Sequence, residues 1–84
     1  MKLLDCVEVL VEKEKYTKHG VHQGMHGWIC DERNVDGCWL VNFPRYGEQG
    51  DIAEIDIEQK DLRLLPGGMD VKRSEEIYNK NISK

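Results

Sequence analysis

Four residues, Asn34-Val35-Asp36-Gly37, constrain this chain more than any others. Glycine lacks a Cβ and aspartate tolerates the left-handed region, so Asp-Gly favours the positive φ of a hairpin turn. The segment after the turn alternates: Trp39, Val41 and Phe43 share one face, Leu40 and Asn42 the other. A period of two with aromatic and β-branched residues marks a half-buried strand, Cys38 to Phe43. Trp28, Ile29 and Cys30 form the strand before the turn. Pro44, which cannot donate to a ladder, ends the strand after it.

The same pattern recurs at both ends. Near the N-terminus Val7, Val9 and Val11 alternate with Cys6, Glu8 and Leu10. Past a loop from Arg45 to Gly50, Ala53, Ile55 and Ile57 alternate with Glu54 and Asp56. Glu58 to Asp61 reads as a single helical turn, and Leu62 to Leu65 as a last strand. Between the first two strands, Glu12 to Gln23 shows no apolar helical stripe and reads as a long loop. Pro66-Gly67-Gly68 closes the domain, which divides the chain into a barrel over 1–66 and a polar tail over 67–84. A helix is expected from Ser74-Glu75-Glu76, with Val71, Tyr78 and Ile82 on one face. The tail is mobile, docked on the barrel or used between subunits. The expected fold is all-β: a small five-stranded barrel, closed so that its edges are hidden, with a short helical tail.

At 84 residues, 12 basic and 16 acidic, the chain is one domain with a formal charge of −4. An acidic balance argues against sequence-independent binding to phosphate backbones. Asp5 and Glu8 interrupt the apolar start, and no apolar run reaches the roughly 18 residues a membrane helix needs. Three cysteines, an odd set, fit reduced thiols and a cytoplasmic location.

The stretch from His19 to Phe43 resembles the core of SH3-like barrels, in particular the KOW-type group and small bacterial domains of unknown function. Gly24 and Gly27 match the paired glycines of those domains. Trp28 and Ile29 match the hydrophobic positions, and Trp39 to Phe43 the alternating strand. Asp61-Leu62 is similar to the dipeptide that often opens their final strand. The similarity extends over roughly residues 4 to 65. It implies an SH3-like barrel whose loops touch RNA or other proteins.

His19, His22 and His26 fall close together, with Cys30 and Cys38 nearby. Structural zinc wants tight ligand pairs, and here no Cys-x-x-Cys exists and glycines break the histidine spacing. No catalytic signature surrounds any cysteine. No metal, cofactor or catalytic residue is therefore expected. Trp28 falls opposite in parity to Ile29 and is expected to face outward, near Tyr16 and Tyr46, as an aromatic patch. Six acids lie between Glu48 and Asp61 against Lys60 alone, and residues 1–65 carry a net of −5. Glu54, Asp56 and Glu58 would project from one face of a strand. These features point to a non-catalytic interaction module, for example an immunity or adaptor protein. It would bind a basic protein partner through Trp28, Tyr46, Glu54, Asp56 and Glu58. The alternative is a KOW-like module, RNA- or ribosome-associated, using Lys13, Lys15, Lys18 and the Gly24–Gly27 loop.

Overall fold

Each alternating segment becomes a strand in the computed structural model, which describes residues 1–47 and 50–82. The strands are β1 (Cys6–Val9), β2 (His26–Ile29), β3 (Cys38–Phe43), β4 (Ala53–Glu58) and β5 (Leu62–Leu64). They form one antiparallel sheet in the order β4-β3-β2-β1-β5. A 3₁₀ turn, Gln59–Asp61, joins β4 to β5 as expected. The sheet curls into a half-barrel consistent with an SH3-like barrel. Among the described residues no ladder joins β4 to β5, so the expected closure is not complete: both remain edge strands.

The Asp-Gly turn forms as its chemistry requires. Asp36 and Gly37 have φ of 52° and 80°. Val35 and Cys38 exchange backbone hydrogen bonds of 3.0 and 2.9 Å across it. The inward faces of β1 and β3 also match expectation: Val7, Val9, Val41 and Phe43 are fully buried. β2 begins two residues earlier than the sequence pattern suggests, because His26 and Gly27 pair with Glu8 and Val7. Gly27 permits this pairing against β3: a Cβ there would lie 2.6 Å from the Asn42 carbonyl oxygen.

Two segments differ from expectation. The stretch read as a polar loop contains a short helix, α1 (Glu14–Thr17), and its Tyr16 is buried instead of facing outward. A large aromatic ring gains more from the core than a four-residue polar helix loses by turning toward it. The tail docks on the barrel as helix α2 (Val71–Ile82), which begins before Ser74. Asp70 caps it by accepting the Arg73 N–H at 3.0 Å. Ser74, in the first turns, is wholly buried, and its hydroxyl accepts the His26 N–H and donates to the His26 carbonyl. Ile77 and Tyr78 pack on the core; Ile82, one turn beyond Tyr78 on the same side, is exposed. Among the described residues no helix is long and apolar enough to cross a membrane.

Candidate functional site

Register fixes what the outer face of the sheet presents. Trp28 of β2 stands opposite Asn42 of β3, and Asn42 opposite Glu54 of β4. Leu40 stands opposite Asp56, and Cys38 opposite Glu58. Strand spacing places Trp28 and Glu54 about 10 Å apart along one row. The half-buried Trp28 and Leu40 are thus bordered by the exposed carboxylates of Glu54 and Asp56. The buried Asn42 amide orders this border, donating to Asp51 at 2.8 Å and to Glu54 at 3.3 Å. The Cys30 thiol points at the same Glu54 carboxylate, 3.4 Å away. Burial, and then that carboxylate, pushes the Cys30 thiol up to about 11, so it stays protonated at neutral pH. Asp56 has no hydrogen-bond or ion-pair partner among the described residues.

The lower end of the same acidic run is arranged differently. Asp61 is buried and accepts from the Tyr16 hydroxyl at 2.7 Å and from Lys13 Nζ at 2.8 Å. The Tyr16 oxygen in turn accepts the Glu58 N–H at 3.1 Å. Glu58 pairs with Lys15 and, at 3.5 Å, with Lys13. Burial alone would raise the Asp61 carboxyl; the bonds from Lys13 and Tyr16 outweigh it and hold the group below its ordinary value. Tyr16 is pushed up to about 12, by burial first and then by the Asp61 carboxylate. This network fastens α1 and its loop to the 3₁₀ turn.

The residues singled out in the sequence therefore separate. Glu54 and Asp56 share the open face with Trp28, while Glu58 is drawn into the lysine cluster. Tyr46, exposed on the β3–β4 loop, lies off this row; its N–H bonds to Glu75 of α2. Glu48 lies outside the described residues. Of the three lysines, Lys13 and Lys15 neutralise carboxylates of their own chain, and Lys18 remains exposed. The Gly24–Gly27 segment is buried, and Arg73 of α2 donates to the Gly24 carbonyl at 2.9 Å.

The histidines diverge as well. His22 contacts Glu12 at 2.7 Å. His26 lies between Glu8, 3.2 Å from Nε2, and the Asp70 N–H, which donates to Nδ1 at 2.9 Å. His19 is exposed. No group of three or more His, Cys, Asp or Glu among the described residues is placed to hold a metal ion. Tyr16 and Asp61 do not emerge as a pair from the sequence. One signal points to them: Tyr16 is the only aromatic residue between Glu12 and Gln23. Comparison with protein-family models, with curated proteins and with solved structures finds no match for this chain.

Proposed function

We propose that this domain is a non-catalytic interaction module that binds a basic surface of a protein partner through Glu54 and Asp56, with Trp28 and Leu40 as the adjoining apolar contact. The observation that supports it most is the division of charge. Lys13 and Lys15 are taken up by Glu58 and Asp61, whereas Asp56 forms no ion pair among the described residues, although Lys18 lines the same cleft. A fixed row of unneutralised carboxylates beside half-buried apolar side chains accelerates encounter with a positive partner and rejects a negative one. The three free thiols agree with a reducing, cytoplasmic setting. An adaptor or immunity protein of bacterial type is the kind of molecule that works this way.

The RNA-binding alternative has less to draw on. Two of its three lysines are neutralised, and its glycine segment is under α2. Capture of the tagged protein's partners from a lysate of its source cells, with and without nuclease, tests the proposal. A nuclease-resistant partner lost from the Glu54→Lys, Asp56→Lys double variant supports it. Recovery of RNA-dependent material that survives the double variant and falls with Lys18→Glu overturns it.

A further inference from the structure

Beside the acidic row lies an unused strand edge. The Gln59 N–H bonds to the Gly37 carbonyl at 2.8 Å, just beyond the Cys38–Glu58 pair. In an antiparallel ladder that bond makes Cys38–Glu58 a non-hydrogen-bonded pair, so Trp39–Ile57 and Val41–Ile55 carry the ladder bonds. The N–H and C=O groups of Glu54, Asp56 and Glu58 accordingly point away from β3. The Glu58 N–H agrees with this direction, since it meets the Tyr16 oxygen on the far side. The outward groups of Glu54 and Asp56 meet no partner among the described residues. They are about 7 Å apart along the strand. A cleft of about 460 Å³ runs beside them, its far wall formed by Lys15 and Tyr16 of α1 and by Lys18 and His19 just after it; Lys15 is paired with Glu58.

We infer that this edge accepts an extended segment of a partner protein as a sixth strand, with basic and apolar residues in alternation. The inference rests on the reading of Glu54 and Asp56 as the partner surface and specifies how the partner is held. Strand addition supplies affinity through main-chain bonds and specificity through alternate side chains. Basic side chains would stand opposite Glu54 and Asp56, where opposite-charge cross-strand pairs are favourable. The residue between them would lie over the half-buried Ile55. A second copy of this chain is a poor occupant, because edge-to-edge pairing sets these carboxylates against one another. The other edge is not equivalent: β5 has three residues, and its Arg63 is paired with Glu8 at 2.8 Å.

The test uses the full chain and synthetic peptides, read by amide chemical shifts and hydrogen exchange. Acetyl-Lys-Val-Lys-Val-Lys-amide should slow exchange at Glu54 and Asp56 by about tenfold or more at saturation. Its Glu-Val-Glu-Val-Glu counterpart should leave exchange there unchanged. N-methylation of one alternate set of peptide residues, the lysines in antiparallel pairing, should abolish the effect, and N-methylation of the other set should not. Asp56→Pro removes the outward N–H together with the carboxylate and should likewise abolish it, whereas Asp56→Asn, which removes the charge alone, should weaken binding but keep the methylation pattern; the peptide series decides the matter if the proline variant does not fold. Equal effects of both methylation patterns, or no binding at millimolar peptide, overturn edge pairing. Concentration-dependent dimerisation through β4 overturns it too. If the double charge reversal still abolishes partner capture in those cases, the acidic-face reading stands without it. If the methylation pattern holds but partner capture survives the reversal, that reading falls and the edge remains a strand-binding site.

Discussion

Glu54 and Asp56 belong to the same acidic run as Glu58 and Asp61, yet the two halves do opposite things. The latter pair is gathered with Lys13, Lys15 and Tyr16 into a network that fastens a long loop to the barrel. The former faces solvent, Glu54 ordered by one buried amide and neither carboxylate paired with a lysine among the described residues. The difference arises from contacts more than 40 residues away in sequence, not from the run itself. A charge run therefore divides into structure and surface according to what the topology places opposite it.

The largest loss of stability is expected on removing Asp61. Asp61→Ala strands the Tyr16 hydroxyl and the Lys13 ammonium, and is expected to cost about 2–4 kcal/mol in urea unfolding. Next comes Tyr16→Phe, at about 1–2 kcal/mol, since it leaves the buried carboxylate with one donor fewer. pH sharpens the contrast further. The Asp61 carboxyl is held below its ordinary value of 3.8, so its contribution is present above that value and is lost as pH falls through the folded one. Tyr16 is raised from 10.0 to about 12, so its contribution is complete below pH 10 and lost as pH rises towards about 12. Asp61→Asn should flatten the acid limb, and Tyr16→Phe the alkaline limb, of stability against pH. The smallest effect on stability is expected from Asp56→Asn, which should leave the urea midpoint unchanged while weakening partner capture.

Much of the fold is legible because short-range rules decide it. The Asp-Gly pair sets the hairpin, and alternation in β1, β3 and β4 sorts inward from outward side chains. Tyr16 escapes such rules because its polar neighbours carry no helical stripe; its burial depends on Asp61, which local pattern cannot see. Closure fails for a related reason: whether β4 meets β5 is decided by global curl, not by either strand's residues. The candidate site is half legible. Charge alone finds Glu54, Asp56 and Glu58, but only register and the opposing lysines separate the first two from the third.

The most direct test of this division is partner affinity measured beside urea stability for Glu54→Gln with Asp56→Asn and, separately, for Tyr16→Phe. The first variant is expected to lose binding by about tenfold or more at an unchanged urea midpoint. The second is expected to lose stability but to bind as tightly as the native chain while folded. The reverse pattern, with binding lost from Tyr16→Phe and retained without the two carboxylates, would mean that the Tyr16 network, not Glu54 and Asp56, is the partner surface.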